Sequence, residues 1–562
     1  MLEMNLRPAR PVRTEILALL VSLVLTLVYN GAFWAALTAE RDWSSPQTWY
    51  LVIFTALAVT GLQWLLLLLL LNRWTVKPVL VLLALLSAPA VYFMTHYGIP
   101  LNKTTMRNLL GTDVREVGEF LDVKFLLYIL GYGIIPALVI WRLDIARPDR
   151  KQAILGRAGA MLAALLMVGI GLWPVMNYLV PALRAQKELR FLITPSNYLI
   201  SMGQVLASQW RGGDKALLTI AEDAYRERDA ATKPIVFVLV VGETVRAQNW
   251  GLNGYARQTT PSLANLDVIN FPDVSSCGTD TVTSLPCIFS LQGRRHYDEG
   301  LIRASESLLH LVSRVGVAVQ WRENQAGCKG VCKDFEVEDL SRATDPALCK
   351  GDRCFDAILL RALKEKIAST AGDLLIVLHT LGNHGPAYYQ RYPDEFRQFT
   401  PTCDTTDLAS CSREALINTY DNAILYTDHV LATLIEELKT VTTHDTGMLY
   451  VSDHGESLGE NNLYLHGIPY VIAPREQTRV PMVLWLSPEL LARQNRDAKC
   501  IASRAKTTAI THDYLFHTLL DLFDVHTRMY EPALDVLAGC SSSMAQAPEG
   551  PHATPEDHAH DS

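Results

Sequence analysis

Five long apolar stretches dominate roughly the first third of the chain. Each is close to the length of about 20 residues that a helix needs to cross a membrane, where a helix satisfies its own backbone hydrogen bonds. The predicted spans are Ile16–Thr38, Leu51–Leu71, Val79–Thr95, Phe125–Trp141 and Ala158–Val180. A cleaved signal peptide is the alternative for the first stretch, because Arg7, Arg10 and Arg13 precede it and small residues lie near Ala39. Its apolar run is longer than a signal core, which favours a membrane helix.

The distribution of lysine and arginine predicts how these spans are oriented. Basic residues gather on the side of the N-terminus, at Arg7, Arg10, Arg13, Arg73, Lys77, Arg142, Arg147, Arg150, Lys151 and Arg157. The opposite loops, 39–50 and 96–124, mix both signs. Because cytoplasmic loops are enriched in lysine and arginine, we expect the N-terminus in the cytoplasm. Five crossings then place the chain after about residue 181 outside the inner membrane.

A different pattern begins at residue 233, where short apolar runs alternate with helical stretches. The runs are Pro234–Val241, Val317–Trp321, Leu374–Leu378, Met448–Val451 and Met482–Leu486. Continuous apolar runs of this length are typical of strands buried on both faces. They predict an α/β/α domain with a central, mostly parallel sheet covered by helices.

These patterns divide the chain into four parts. We expect a transmembrane domain of five helices over 1–180, a bridging segment over 181–232, a soluble catalytic domain over 233–540 and a disordered tail over 541–562. The bridging segment alternates apolar and charged residues, which is typical of amphipathic helices lying on a membrane surface. An ordinary surface helix of the soluble domain is the alternative for it. The tail is rich in proline, histidine and acidic residues, which predicts disorder.

Charge and cysteine content narrow the function and the compartment. With 50 basic and 58 acidic residues the formal net charge is −8, which argues against nucleic-acid binding. All ten cysteines follow residue 200, which indicates disulfides in an oxidising compartment. Short gaps predict the pairs Cys277–Cys287, Cys328–Cys332, Cys349–Cys354 and Cys403–Cys411, and Cys500 is then left with Cys540. A zinc site at Cys328 and Cys332 is the alternative, but no second pair of suitable spacing accompanies it.

Polar, metal-capable residues follow three of the predicted strands. They are Glu243 after the first run, His379 after the third, and Asp453 with His454 after the fourth. Because chemistry collects at the carboxyl ends of parallel strands, three such coincidences predict one site. Glu243, Asp453 and His454 form an O/O/N set that suits zinc, with one position left for a nucleophile or substrate.

A hydroxyl near this set is the candidate nucleophile. Thr281 lies in the segment Cys277-Gly-Thr-Asp-Thr-Val-Thr-Ser-Leu-Pro-Cys287, which is typical of a loop entering a helix. Backbone N–H groups at a helix start can hold phosphoryl oxygens, and zinc can lower the pKa of a hydroxyl. Thr279 and Thr283 compete with Thr281, and the residues alone do not choose among the three.

Several motifs together resemble the phosphoethanolamine transferases that modify lipid A, the family that includes the mobile colistin-resistance enzymes. They are Val-Gly-Glu243-Thr-Val-Arg, Cys277-Gly-Thr-Asp-Thr281, Trp321-Arg-Glu-Asn-Gln, Lys329-Gly-Val-Cys, Gly-Asn-His384-Gly-Pro, Ser-Asp453-His454-Gly-Glu-Ser and His466-Gly. The resemblance covers nearly the whole chain. It implies five membrane helices, a bridging segment and a periplasmic domain of alkaline-phosphatase/sulfatase type.

The resemblance also implies a role for individual residues. Thr281 would be the covalent nucleophile, and Glu243, Thr281, Asp453 and His454 would bind the catalytic zinc. Lys329, His384 and His466 would contact the phosphoethanolamine or a second zinc. Asn108, Thr112 and Glu116 match family positions that help to bind the ethanolamine group, and their four-residue spacing predicts one helical face.

Each of these residues has a purely structural interpretation. Glu243 could cap a helix, and Asp453 with His454 before a glycine could form a turn. His384 and His466 are, taken singly, more often structural than catalytic. His379 directly follows a strand and could support the site from behind. The joint spacing of all the segments favours the functional interpretation.

The implied activity moves phosphoethanolamine from phosphatidylethanolamine to a lipid A phosphate through a phosphothreonine. A core sugar of lipopolysaccharide, Kdo or heptose, is the alternative acceptor. An added primary amine would lower the negative surface charge and weaken the binding of cationic peptides such as polymyxin and colistin. The resemblance further implies a multi-pass inner-membrane protein with its catalytic domain in the periplasm. It would contain one catalytic zinc, with a second zinc as the alternative, and act as a monomer on membrane lipids.

Other classes fit the sequence less well. A sulfatase carries a Cys-x-Pro-x-Arg pattern, which neither Cys277 nor Cys287 begins. A glycerol-phosphate polymerase of the teichoic-acid type normally lacks such a set of disulfides. A lipid-binding sensor with an inactive hydrolase domain is disfavoured by the intact set of Glu243, Thr281, Asp453 and His454. A transporter is disfavoured because the predicted spans carry almost no charge.

Overall fold

The structure, a computed structural model, describes residues 11–39, 41–111, 114–185, 187–212, 216–227, 232–351 and 353–541. We refer to the described residues up to 212 as the membrane half and to those from 216 onward as the catalytic half. The predicted tail, 541–562, lies outside the described residues except for Ser541.

Apolar helices of membrane-spanning length make up most of the membrane half. Within the described residues, four helices are long and apolar enough to cross a membrane: Pro46–Leu70, Val76–His96, Val123–Arg142 and Arg150–Val180. A fifth span results if Thr14–Tyr29 and Gly31–Thr38, which are bent by 55°, are counted together. The prediction of an apolar helical N-terminal region is confirmed. The last span begins earlier than predicted, since its helix covers Arg150–Ala185.

The first predicted span is bent at Asn30 instead of straight. The backbone passes through a π-helical turn, Leu25–Tyr29, before the next helix begins at Gly31. The Asn30 amide donates to the carbonyl oxygens of Leu25 (2.9 Å) and Thr194 (3.2 Å) and accepts from the Thr194 N–H. A side chain that satisfies freed backbone groups in this way permits a break in a membrane helix.

The central sheet of the catalytic half contains, among the described residues, eight strands. They are β1 (Ile235–Gly242), β2 (Ile269–Ser275), β3 (Ala318–Glu323), β4 (Glu336–Asp339), β5 (Leu374–His379), β6 (Asp445–Ser452), β7 (Arg479–Leu486) and β8 (Ile510–Thr511). Their order across the sheet is β8-β2-β7-β6-β1-β5-β3-β4. Strand β7 is antiparallel to both β2 and β6, and every other neighbouring pair is parallel. The mostly parallel sheet is confirmed, but the run 482–486 is an antiparallel strand.

Helices cover both faces of this sheet, as the apolar runs predicted. Alternate residues of β1 belong to different clusters: Phe237 packs on one face and Val238 on the other. One face is covered by Leu308–Arg314, Ala498–Thr507 and Asp513–Leu522, and the other by Leu363–Ser369 and the long helix Arg413–Lys439. The remaining α-helices of this half are Thr281–Ile288, Glu299–Ala304, Arg475–Thr478 and Pro488–Arg493.

The segment between the halves is shared by both. Its helix Ser196–Gly212 places Tyr198 and Val205 in the apolar cluster of the membrane half. Farther along, strand Tyr225–Arg226 pairs with Val525–His526 of the catalytic half. The last part of the bridging segment therefore packs as part of the soluble fold.

Five disulfides join the cysteines in the predicted pairs. They are Cys277–Cys287, Cys328–Cys332, Cys349–Cys354, Cys403–Cys411 and Cys500–Cys540. The alternative of a zinc site at Cys328 and Cys332 is therefore wrong.

Two short helices in an outer loop lie between the second and third long spans and reach the catalytic half. They are Lys103–Gly111 and Val114–Glu119. The first packs against the helix Thr281–Ile288. The loop thus brings residues of the membrane half to the start of that helix.

Close helix packing in the membrane half gives a first prediction. A Cβ at Gly171 would lie 2.5 Å from the backbone nitrogen of Ala58 on the helix Pro46–Leu70. Small residues allow such close approach, and overpacking costs about 1–3 kcal/mol. We expect Gly171→Val to lower the melting temperature of the detergent-solubilised protein by several degrees.

The matched control is Gly169→Val on the same helix. No atom lies within 4 Å of a Cβ at Gly169, so this variant carries the same change in helix propensity without the clash. Equal melting temperatures for the two variants would show that the helices do not pack through Gly171.

Candidate active site

Two carboxylates meet at the ends of adjacent strands. Strand β1 ends at Gly242 and β6 ends at Ser452, and these two residues are paired in parallel register. Glu243 and Asp453 follow directly and are fully buried. Backbone hydrogen bonds hold Asp453: its N–H donates to the Gly242 oxygen at 2.9 Å, and its Oδ1 accepts from the His454 N–H at 2.7 Å. Glu243 and Asp453 therefore lie side by side at the carboxyl edge of the sheet, as the sequence predicted.

The imidazole of His454 completes the set. Its Nδ1 donates to the Gly455 oxygen at 2.9 Å, which fixes the ring with Nε2 facing the two carboxylates. Nε2 lies 3.3 Å from Glu243 Oε1 and 3.5 Å from Asp453 Oδ2. Ligand atoms of these three residues all lie within 4.8 Å of one another.

The charges of this buried set are unbalanced. Burial and the neighbouring Glu243 carboxylate raise the pKa of Asp453 to about 6. Burial opposes charge on His454, but Asp453 and Glu243 outweigh it and raise its pKa to about 10. Burial also opposes charge on Glu243, yet the hydrogen bond and charge of His454, with His384 and His466, lower its pKa. Two buried carboxylates that share one proton-binding ring form an environment that attracts a cation.

The Thr281 hydroxyl points at the same set. Thr281 is the first residue of the helix Thr281–Ile288, which Asp280 caps by accepting from the Thr283 N–H at 3.0 Å. Its Oγ1 lies 3.0 Å from Glu243 Oε2 and 3.4 Å from His454 Nε2. Thr279, by contrast, donates to the Ile468 oxygen at 2.6 Å. Of the three competing threonines, Thr281 is the one hydrogen-bonded to the carboxylates among the described contacts.

The donor atoms fit a zinc ion. Asp453 Oδ2 is buried and has no hydrogen-bond partner among the described residues, so one acceptor oxygen remains for a cation. Two carboxylates, one imidazole nitrogen and one hydroxyl correspond to the oxygen and nitrogen ligands that zinc accepts in a four-coordinate site.

Residues that the sequence did not single out support Glu243 from behind. Gln325 donates from Nε2 to Glu243 Oε2 at 3.2 Å, and its backbone N–H donates to Glu323 at 2.8 Å. Glu323 also lies 3.0 Å from His379 Nδ1 and accepts from Trp321 Nε1. Burial opposes charge on His379, but the Glu323 carboxylate outweighs it and raises the pKa of that ring. His379 therefore lies behind the three-residue set, as its position directly after a strand predicted, and the motif Trp321-Arg-Glu-Asn-Gln was the sequence signal for Glu323 and Gln325.

Two further histidines lie beside the set. The His466 ring stacks obliquely on His454 with ring centres 4.4 Å apart, and its Nδ1 lies 3.3 Å from Glu456 Oε1. The ring centres of His384 and His466 are 5.8 Å apart. Both predicted histidines are thus brought next to the carboxylates, although the three-residue set does not include them.

The other predicted residues are placed less directly. Lys329 donates from Nζ to the Ala326 oxygen at 2.8 Å. Arg303, which donates to the Val282 oxygen at 2.8 Å, also lies 3.5 Å from the Lys329 oxygen. Asn108 is on the helix Lys103–Gly111 that packs against the Thr281 helix. Thr112 and the side chain of Glu116 lie outside the described residues.

A buried histidine ties the nucleophile segment to the metal-capable edge. His512 Nδ1 accepts from the Cys277 N–H at 3.0 Å, and its Nε2 donates to the Ser452 oxygen at 3.1 Å. The disulfide Cys277–Cys287 closes the segment on the other side of Thr281. His512 is not predictable from the sequence, because nothing local distinguishes it from the other histidines.

Comparisons with known proteins cover both halves of the chain. Residues 236–525 match the family model described as Sulfatase, and residues 59–210 match the one described as Phosphoethanolamine transferase EptA/EptB. Phosphoethanolamine transferase EptA of Escherichia coli (strain K12) is 38% identical over 83% of this chain and 86% of its own length. Phosphatidylethanolamine transferase Mcr-1 of Escherichia coli is 38% identical over 81% of this chain and 84% of its own length.

A solved structure extends the similarity to the arrangement of the whole chain. The integral membrane protein lipooligosaccharide phosphoethanolamine transferase A from Neisseria meningitidis is 35% identical and superimposes with a TM-score of 0.89. The match covers 94% of this chain and 99% of that one.

The buried His512 predicts that acid destabilises the fold. Burial lowers the pKa of His512 from 6.5 to about 3. Between these values the unfolded chain binds a proton at this ring and the folded chain does not, so the free energy of unfolding decreases as the pH falls through this window. We expect the melting temperature of the full chain in detergent to drop from about pH 7.5 to about pH 5, and to drop less in His512→Asn.

The matched control is His296→Asn at an exposed ring. It is expected to keep the wild-type dependence of the melting temperature on pH. An identical dependence in His512→Asn would show that this ring does not contribute to acid sensitivity.

Proposed function

Because the chain belongs to the lipid A phosphoethanolamine transferase family, we propose that it moves phosphoethanolamine from phosphatidylethanolamine to lipid A. The observation that carries the proposal is the Thr281 hydroxyl, held 3.0 Å from Glu243 beside two further metal-capable side chains. The apolar helices of the membrane half suit substrates that are themselves lipids. We assign the enzyme to the bacterial inner membrane, with its catalytic half in the periplasm, where its disulfides are stable.

Glu243, Thr281, Asp453 and His454 would hold a catalytic zinc. When bound, the ion lowers the pKa of the hydroxyl that it contacts and offsets negative charge on the phosphoryl group. The orphaned Oδ2 of Asp453 and the inward Nε2 of His454 support this ligand set. His384 and His466, beside it, are the candidates for holding a second zinc or the substrate phosphate.

In the first step Thr281 Oγ1 attacks the phosphorus of phosphatidylethanolamine. The new bond joins that oxygen to phosphorus, and the bond from phosphorus to the diacylglycerol oxygen breaks. Glu243 orients the hydroxyl and accepts its hydrogen bond. The proton released by Thr281 passes to the Glu243 carboxylate that already accepts its hydrogen bond, and His466 or His384 gives a proton to the departing diacylglycerol oxygen. Covalent trapping divides one difficult displacement into two easier ones.

In the second step a lipid A phosphate oxygen attacks the phosphothreonine. The new bond joins that phosphate oxygen to phosphorus, and the bond from phosphorus to Thr281 Oγ1 breaks. Thr281 regains its proton from Glu243, and the proton of the acceptor phosphate restores the histidine. Backbone N–H groups at the start of the Thr281 helix, together with Lys329, would hold the phosphoryl oxygens. Asn108, Thr112 and Glu116 of the outer loop would bind the ethanolamine group. The added amine lowers the negative charge of the outer surface, which reduces the binding of polymyxin and colistin.

The central test is Thr281→Ala with Thr283→Ala as the matched control. Both residues lie in the first turn of the same helix, but the hydrogen bonds to Glu243 come from Thr281. We expect Thr281→Ala to lose the phosphoethanolamine adduct on its active-site peptide and to lose transfer by at least about a thousandfold. Thr283→Ala should keep both, as measured by peptide mass spectrometry and by transfer from fluorescent phosphatidylethanolamine.

Analysis of lipopolysaccharide from cells that express these variants identifies the acceptor. Mass spectrometry after mild acid release of lipid A should show one added phosphoethanolamine on lipid A with the wild type and none with Thr281→Ala. Added mass that stays with the core sugars would replace lipid A by Kdo or heptose as the acceptor. An adduct on Thr281→Ala would contradict the nucleophile assignment.

Zinc content gives an independent prediction. His454→Gln should lower bound zinc by about one ion per chain, measured by elemental analysis, because a ligand nitrogen is lost. The matched control is His444→Gln, since His444 is also buried and also contacts a backbone oxygen, that of Gly372, at 3.2 Å. A chelator should abolish transfer, and added zinc should restore it.

The number of zinc ions follows from the same measurement. If wild type binds two ions, His384→Ala or His466→Ala should leave one. Unchanged zinc in His454→Gln, with transfer insensitive to chelators, would overturn the metal assignment.

A further inference from the structure

Among the described residues, ion pairs join the membrane half to the catalytic half at three carboxylates, each of which contacts two basic side chains. The first pairs Lys103 and Arg107 with Glu299, the second pairs His96 and Lys124 with Asp407, and the third pairs Glu119 with Arg353 and Arg391. The acidic partner comes from the membrane half only in the third of these contacts. Glu119 is the last residue of the outer-loop helix Val114–Glu119 and is buried.

Arg391 connects Glu119 to a loop of the candidate site. Its Nη2 donates to both Glu119 oxygens, at 2.8 and 2.7 Å, while its Nε donates to the His384 backbone oxygen at 2.5 Å. A planar guanidinium with fixed donor directions can hold two partners in a defined relative position. We call residues 380–391 the His384 loop, because it carries that histidine and ends at Arg391.

The His384 loop also touches the metal-capable Glu243. The Asn383 N–H donates to the backbone carbonyl oxygen of Glu243 at 3.0 Å. At Gly382, where φ is +52°, a Cβ would lie 2.5 Å from that same oxygen, so the two backbones are in close contact. Asp356 holds the near end of the loop by accepting from the N–H groups of Leu381 (2.7 Å) and Gly382 (2.8 Å).

The two ends of the loop are therefore held by different halves of the protein. Asp356 belongs to the catalytic half, whereas the partner that fixes Arg391 belongs to the membrane half. The Arg391 side chain is fully buried, and its Nη1 has no hydrogen-bond partner among the described residues. Without the Glu119 carboxylate, the buried Arg391 guanidinium would lose the negative charge that balances it. It would then move toward another partner or toward solvent. Such movement would release the His384 oxygen.

We propose that Glu119 is a positioning residue for the transfer reaction. Its carboxylate, delivered by the outer loop of the membrane half, fixes Arg391 and so holds the His384 loop in its productive position beside Glu243. The catalytic constellation is then complete only when the outer loop is docked. This inference rests on the proposed function, since it assigns His384 a part in that reaction.

The test compares Glu119→Gln with Asp407→Asn in the full chain in detergent. Each removes one carboxylate charge that joins the halves, but Asp407 lies in the segment closed by Cys403–Cys411 and its described contacts do not include the His384 loop. Two substrates are used: fluorescent phosphatidylethanolamine and the soluble ester para-nitrophenyl phosphoethanolamine. We expect Glu119→Gln to lower kcat about tenfold on both, with zinc content unchanged, because a misplaced loop impairs the chemistry itself. Asp407→Asn should stay within about twofold of wild type on the soluble ester.

A double-mutant cycle tests whether Glu119 affects kcat through His384. In the His384→Ala background, Glu119→Gln should lower kcat by less than about twofold, because the group that it positions is already absent. Two results would each overturn the proposal. One is a full tenfold effect of Glu119→Gln in that background. The other is wild-type turnover of the soluble ester by Glu119→Gln, which would mean that Glu119 serves only lipid access or docking.

Two controls separate the proposed positioning effect from a loss of folding and from a failure of the proposed function. If Glu119→Gln lowers the melting temperature strongly, Glu119→Gln combined with Arg391→Gln removes both buried charges and takes its place in the kinetic comparison. The same loss of kcat is expected from that pair, and wild-type kcat would again overturn the proposal. Failure of the wild type to transfer phosphoethanolamine would instead reject the proposed function.

Discussion

The constraint on which the site depends is the burial of two carboxylates at neighbouring strand ends. Glu243 and Asp453 repel each other in a medium where charges are weakly screened, and one imidazole cannot balance both. Replacing either carboxylate would remove this repulsion, yet both are held in place. Asp453 Oδ1 accepts from backbone N–H groups, Glu243 accepts from the side chains of Thr281 and Gln325, and Asp453 Oδ2 has no hydrogen-bond partner among the described residues. A divalent cation bound between the two carboxylates would resolve this conflict. The same cation would act on Thr281, whose hydroxyl already contacts the carboxylate, so the electrostatic strain and the chemistry share one origin.

The sheet core was predictable because a strand buried on both faces is apolar throughout. The apolar runs that form β1, β5 and β6 therefore predicted the positions of Glu243, His379, Asp453 and His454 at the strand ends from the sequence alone. Strand direction was not predictable, since the antiparallel β7 is as apolar and buried as the parallel strands β1 and β5. The bend at Asn30 was missed because it depends on Thr194, far away in sequence. Gln325, His512 and Glu119 were missed for the same reason: their contacts join segments that only the fold brings together.

The contacts between the two halves converge on the surroundings of the buried Thr281 hydroxyl. The outer-loop helix Lys103–Gly111 packs on the Thr281 helix, and the next helix ends at Glu119 against Arg391. Both contacts lie on the catalytic side of the membrane spans, where a lipid head group would be. The nucleophile segment is fixed from the opposite direction by His512 and the Cys277–Cys287 disulfide. Thr281 is thus supported within the catalytic half, whereas the surroundings of the head group are completed by the membrane half.

This division of support explains why a covalent intermediate suits an enzyme with two lipid substrates. In the proposed reaction a phosphothreonine would store the head group on the rigid part of the site, so the donor lipid could leave and the acceptor could enter without loss of the transferred group. The parts that meet each lipid can then move between steps. Glu119, Arg391 and the His384 loop have the required character, because one of their anchors lies outside the catalytic half. A site held entirely by β1 and β6 would keep its geometry regardless of docking, and would expose the activated phosphoryl group to water whenever no acceptor was present.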